Sequence, residues 1–170
     1  MDRQTSSAAD AASALFDAHM QAELIGDLDA TMATMVPEPH LLNLGSGTGG
    51  LGHAEVRRFY AEELIGQFFP PDAKFIPISR TVDEERLVDE VVIHFTHTKA
   101  INHFLPGVAP TGREAKVAVV VIVGLQNGKV SYEHIYWDQA GLLVQLGLLD
   151  DSNLPIAPTT PEQLLGMVGH

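Results

Sequence analysis

The stretch Glu133-His134-Ile135-Tyr136-Trp137-Asp138 places two carboxylates, an imidazole and two polar aromatic rings side by side. A carboxylate held against an apolar cavity has its pKa raised, which suits a general acid or base near neutral pH, and Glu133 is the first candidate for that role. His97 closes an apolar strand face formed by Val91, Ile93 and Phe95, and is read as a proton shuttle or ligand donor. Tyr60, at the end of a helical apolar stripe, can offer its hydroxyl to a cavity. His40 and Asn43 lie on a short strand before a glycine-rich loop and can reach a pocket mouth. Asp138 sits where a strand gives way to a helix, the place of an N-cap.

Other chemistries are excluded or weakened. Cysteine is absent, which removes disulfides, thiolate metal sites and a cysteine nucleophile, and is compatible with a reducing cytoplasm. The net charge of −12 repels phosphate backbones and anionic lipid, so neither nucleic acid nor a membrane is expected as a partner. Gly45-Ser46-Gly47-Thr48-Gly49-Gly50 matches a dinucleotide-binding glycine pattern, but no acidic residue follows at the end of the next strand. It is read as a loop at a pocket mouth. His94 and His97 would point to opposite faces of a strand, and no metal site is expected.

These groups must be held by a chain of 170 residues, enough for one domain with a real core. Apolar residues at helical spacing (Ala11, Leu15, Ala18, Ala22, Ile25) predict a helix over Ala8–Gly26, capped by Ser7 or Asp10. A short helix is expected over Asp27–Met35, a strand over His40–Leu44, and a helix over His53–Gly66 with Val56, Phe59, Tyr60 and Leu64 on one face. Residues rich in β-branching predict strands at Lys74–Val82, Arg86–Thr98 and Lys116–Gln126. Asn127-Gly128 predicts a two-residue type I′ turn into a strand at Lys129–Trp137. Plain pairing across that turn sets Val121 opposite His134. A bulge would turn the other face of the strand inward. A helix follows at Gln139–Leu148, then a Pro-rich tail, 151–170, with a terminal turn at Glu162–Met167. Helices first and antiparallel strands after indicate α+β segregation, with the helices packed into a curved, mostly antiparallel sheet. Val117 to Val123 is apolar on both faces, so a second copy of the chain is expected to cover the outer one. The early acidic residue Asp2, with no apolar run behind it, gives no secretory signal, and a cytoplasmic protein is expected.

Three segments, Thr96-His97-Thr98, Pro110-Thr111-Gly112-Arg113, and Gly128-Lys129 with Asp138-Gln139-Ala140-Gly141-Leu142-Leu143-Val144-Gln145-Leu146-Gly147, resemble the SnoaL-like polyketide cyclase family of the nuclear-transport-factor-2-like superfamily. The resemblance covers roughly Ala8 to Gly147 and implies a cone-shaped α+β barrel over 1–150, one apolar pocket, a homodimer and no cofactor. In the aromatic polyketide cyclases an Asp acts as general acid/base, supported by a His, a Gln and an Asn. Matching the hairpin through Gly128-Lys129 places the Asp position at Ile135, the His position at Val121 and the Gln position at Val119. Only the Asn matches, at Asn43. The fold is implied, the cyclase mechanism is not. A related subgroup carries an acidic-aromatic pair where this chain has Asn102-His103, so the rim differs.

If Val119, Val121 and Ile135 line the pocket as their counterparts do, Glu133 and Trp137 share their face, which needs the bulge. Without it, His134, Tyr136 and Asp138 line the pocket. The expected function is cofactor-free acid/base chemistry, of isomerase, dehydratase or cyclase type, on a small apolar carbonyl metabolite. Glu133 and His97 would move protons while Tyr60 and Asn43 polarise an oxygen. The alternative is a non-catalytic binding or accessory protein of the same fold.

Overall fold

A computed structural model describes residues 2–170, with side chains from Ala8 onward. The reading of the first seven residues as lacking a secretory signal, and the side chain of Ser7 as a cap, lie outside those described side chains. The first helix, α1, spans Asp2–Ile25 and so begins before both expected caps. Its buried stripe is shifted by one residue from the expected one, of which Ala22 is buried and Leu15 packs against the core. Ala12, Phe16, His19 and Glu23 face the core, while Ala11 and Ala18 are exposed and Ile25 is 67% exposed. Both stripes have helical spacing. The apolar one was the natural choice, and the inward one carries two ionisable residues.

Asp27 caps α2 (Leu28–Ala33) by accepting a hydrogen bond from Ala30 N at 2.9 Å. The helix ends earlier than expected because strand β1 (Met35–Asn43) starts at once. Pro37 and Pro39 fit within that strand because no pairing with the neighbouring strand occurs between Met35 and His40. The glycine pattern builds the turn into β2 (Gly49–Leu51), which pairs back onto β1. A Cβ on Gly49 would stand 2.1 Å from the Leu41 carbonyl oxygen, so close strand approach explains this glycine without a nucleotide.

Helix α3 (Gly52–Phe59) continues into a π-helical turn, Tyr60–Leu64, closed by Ile65 N donating to Tyr60 O at 2.8 Å. Val56, Phe59, Tyr60 and Leu64 are all buried, as their spacing predicts. Strands β3 (Lys74–Val82), β4 (Arg86–Thr96), β5 (Glu114–Gln126) and β6 (Lys129–Trp137) follow, then α4 (Gln139–Gln145) and α5 (Thr160–Val168). The sheet order is β2-β1-β6-β5-β4-β3, with only β1 and β6 parallel. It is a curved α+β sheet that stays open rather than closing on itself. No helix among the described residues is long and apolar enough to cross a membrane.

The β5–β6 hairpin turns through Asn127 and Gly128, both at positive φ, as a type I′ turn requires. Next to the turn Leu125 pairs with Val130. One step on, Gly124 pairs with Tyr132, so Ser131 is the extra residue of a bulge. The bulge flips the alternation beyond it. Val121 therefore faces Ile135 rather than His134, and Glu133 faces inward.

Two buried clusters fill the concave side. One joins Phe16, Leu41, Tyr60 and Leu64; the other joins Phe69, Ile93, Phe104 and Val119. Phe68 and Val121 pack against both. The tail does not extend away from the domain. Its helix α5 lies against β5, buries Pro161 and Leu165, and pairs Glu162 with Lys116 Nζ at 2.6 Å.

Candidate active site

Between the two clusters lies a cavity of about 710 Å³ whose wall takes in residues of α1, β1, the π-helical turn and the inner faces of β3 to β6. Of the residues expected in it, Asn43, Val119, Val121, Glu133 and Ile135 form part of the wall. The bulge is the reason, because it turns Glu133 and Ile135 to the same side as Val119 and Val121.

At one end the inward stripe of α1 meets β6. His19 Nε2 lies 3.0 Å from Glu23 Oε1, 3.4 Å from Glu133 Oε2 and 3.1 Å from the Tyr60 hydroxyl. Tyr60 donates to Glu133 Oε2 at 2.6 Å. None of the four side chains is more than 5% exposed. The tautomer of His19 follows from its other nitrogen. Thr34 Oγ1 donates its single proton to Thr31 O at 2.6 Å, so it must accept from His19 Nδ1, also 2.6 Å away. Nδ1 therefore carries a proton, and the titrating proton sits on Nε2 between the two glutamates.

The charges sort themselves accordingly. Burial pulls His19 down, but the charges of Glu133 and Glu23 and hydrogen bonds to both lift it to about 10. Burial pushes Glu133 up, yet the His19 charge and hydrogen bonds from His19 and Tyr60 together hold it below the ordinary carboxylate range. Burial dominates at Glu23 and raises it, with His19 only partly offsetting. Burial, with the charges of Glu133 and Glu23, raises Tyr60 well above its usual value. The expectation of a raised pKa at Glu133 is thus corrected: the imidazolium holds Glu133 below the carboxylate range, and Glu23 is the carboxyl that burial raises. His19, Glu23 and Glu133 also bring one ligand atom each within 4.8 Å of one another, enough to hold a divalent cation. The imidazolium hydrogen bonds occupy those same atoms here.

The remaining expected residues stand elsewhere. His97 follows the last residue of β4, is fully buried outside the cavity wall, and accepts from Thr111 N at Nδ1, 3.2 Å away. It pins the loop before β5 and meets no ligand space. His40 and His134 lie on the outer sheet face, Nε2 to Nε2 2.9 Å apart, each stacked on Tyr132. Tyr136 is 44% exposed on that face. The alternation set by the bulge puts all three outside. Trp137 faces inward but stacks on Phe104 at 3.9 Å and donates to Gln139 Oε1, so it closes the core beyond the cavity. Asp138 caps α4, accepting from Gly141 N at 2.9 Å. Tyr60 acts through Glu133 rather than on the cavity wall.

His19, Glu23 and Arg80 were not singled out in the sequence. The i, i+4 pair of His19 and Glu23 continuing Ala12 and Phe16 was the available signal. Arg80 at the mouth grips Asp89 through two bonds, at 2.6 and 2.7 Å, and Asp17 of α1 at 2.9 Å.

Residues 25–146 match the SnoaL-like polyketide cyclase family. The fold is similar to that of AclR from Streptomyces galilaeus, a candidate hydroxylase, at 21% identity and a TM-score of 0.61, covering 84% of this chain and 99% of that one. It is similar to a candidate SnoaL-like polyketide cyclase from Jannaschia at 18% identity and a TM-score of 0.66, covering 88% and 98%. IdmH from Streptomyces antibioticus, a candidate polyketide cyclase, matches at 21% identity and a TM-score of 0.57, covering 80% and 98%. No match is found among curated proteins.

Proposed function

The chain belongs to the SnoaL-like polyketide cyclase family, and on that premise we propose that it is an enzyme moving protons with its own side chains on a small, largely apolar carbonyl compound. The observation that carries this reading is the buried Glu133–His19–Glu23–Tyr60 cluster opening on a largely apolar cavity. Glu133, ionised by His19, takes a proton from the carbon beside the substrate carbonyl. The C–H electron pair moves into the carbonyl as an enolate. Glu23, the carboxyl whose hold on a proton burial strengthens, donates to the developing oxyanion. Tyr60 fixes the Glu133 carboxylate in place through its 2.6 Å bond. Asn43 Oδ1, buried and without a partner, accepts from a substrate hydroxyl. A second copy of the chain covers the outer sheet face.

The carrier reading draws on Ile135, Val121 and Val119 standing where the aromatic cyclases have their Asp, His and Gln. The two are separated by 2-tetralone in deuterated water. Enzyme action gives α-proton exchange above the buffer rate. Saturable binding with exchange no faster than buffer supports a carrier and overturns the proposal.

A further inference from the structure

His103 carries an unexplained feature. Its ring is 2% exposed on the cavity wall, and neither ring nitrogen has a hydrogen-bond partner. Leaving a buried donor or acceptor unmet is costly, so an imidazole held this way calls for a reason. Packing alone would be better served by phenylalanine, because the surroundings are aromatic. Phe68 stacks on the ring at 5.8 Å, with Phe69 and Phe104 edge-on at 5.3 and 5.1 Å. The backbone here is anchored: Ser46 Oγ and Thr48 Oγ1 of the glycine loop both donate to the His103 carbonyl at 2.8 Å.

We infer that His103 recognises a second, uncharged oxygen of the ligand, a hydroxyl or carbonyl, at a point of the cavity apart from Glu133. The inference rests on the acid/base reading for the ligand's other end. Neutral imidazole offers one N–H donor and one acceptor, which a hydroxyl can satisfy from either side. Burial drives the His103 pKa down to about 3. The nearby Glu63 backbone pulls back against this, and the Lys99 charge adds to the fall. The ring therefore has no positive charge to offer an anion. Nor does the rest of the wall. Asp17, Glu23, Asp89, Glu90 and Glu133 line it against the single guanidinium of Arg80, which Asp17 and Asp89 already hold. A carboxylate or phosphate at this point would be repelled.

The test compares 2-tetralone, 6-hydroxy-2-tetralone and the 6-carboxylate on the full-length protein. Quenching of the single tryptophan, Trp137, which is stacked on Phe104, reports binding. The wild type is expected to bind the hydroxy compound about tenfold tighter than 2-tetralone, one hydrogen bond's worth, and the carboxylate more weakly than either. His103→Phe is expected to melt at a higher temperature, erase that tenfold preference, and leave 2-tetralone affinity unchanged. His103→Gln, which keeps a donor and an acceptor, is expected to retain part of it. Equal affinities of wild type and His103→Phe for the hydroxy compound overturn the inference, as does tightest binding of the carboxylate. Absence of proton exchange with every probe sinks the acid/base reading, while the affinity comparison still decides the role of His103.

Discussion

His19 and Glu133 meet at 3.4 Å inside the protein, one supplied by the first helix and the other by the last strand. Each fixes the charge of the other. Removing one partner of such a pair strands the other as an unpaired buried charge, which costs roughly 3–5 kcal/mol. His19→Gln is therefore expected to destabilise by about that amount in urea unfolding. Glu133→Gln added to it should recover much of the loss. Additive losses in the double variant would show that the two residues are not coupled.

Stability should peak near pH 6 to 7 and fall on both sides, for separate reasons. His19 is raised from 6.5 to about 10, so its contribution is complete below 6.5 and is lost as pH rises through 10. His103 is lowered from 6.5 to about 3, so its contribution is present above 6.5 and is lost as pH falls toward 3. Lowered Glu133 adds to the acid loss, and raised Glu23 adds a loss that sets in as pH rises above its ordinary 4.5. Urea midpoints measured across this range are expected to show His103→Phe flattening the acid limb and His19→Gln flattening the alkaline limb. The reverse assignment would contradict the charge states given above.

Tyr60 donates to Glu133 without lining the cavity. Tyr60→Phe is expected to cost about 1–2 kcal/mol of stability. Its larger effect should be on rate, a loss of roughly ten- to a hundredfold in proton exchange as the carboxylate loses its fixed orientation. An unchanged rate would make Tyr60 a packing residue only.

The outer face of the sheet remains partly bare. Helix α5 lies against β5, while Leu42 and Tyr136 are 40% and 44% exposed beside the partly buried Val120 and Ile122. A second copy on this face should give a dimer in sedimentation velocity, and Ile122→Arg a monomer that still binds cavity probes. A monomeric wild type at micromolar concentration would refute the homodimer.

The fold was legible because its signals are local. The Asn127-Gly128 turn, the β-branched runs of β4 and β5, and the buried face Val56, Phe59, Tyr60 and Leu64 all follow from neighbouring residues. The site was legible only in part. Glu133 pointed inward on condition of a bulge, and Ser131 carries no mark that makes it the extra residue. His97 ended an apolar strand face, yet the strand stops one residue before it and the loop takes the ring. His19 and Glu23 escaped notice because an apolar stripe one residue away on α1 matched helical spacing equally well. Only contact with Glu133 and Tyr60, distant in sequence, makes their stripe the buried one.

The most direct measurement is the α-proton exchange rate of 2-tetralone in deuterated water, compared between the wild type and Glu133→Gln. The amide keeps the shape and removes the proton acceptor, so the rate should fall about a hundredfold or more with probe affinity nearly unchanged. An undiminished rate in Glu133→Gln would contradict the assignment of Glu133 as the base.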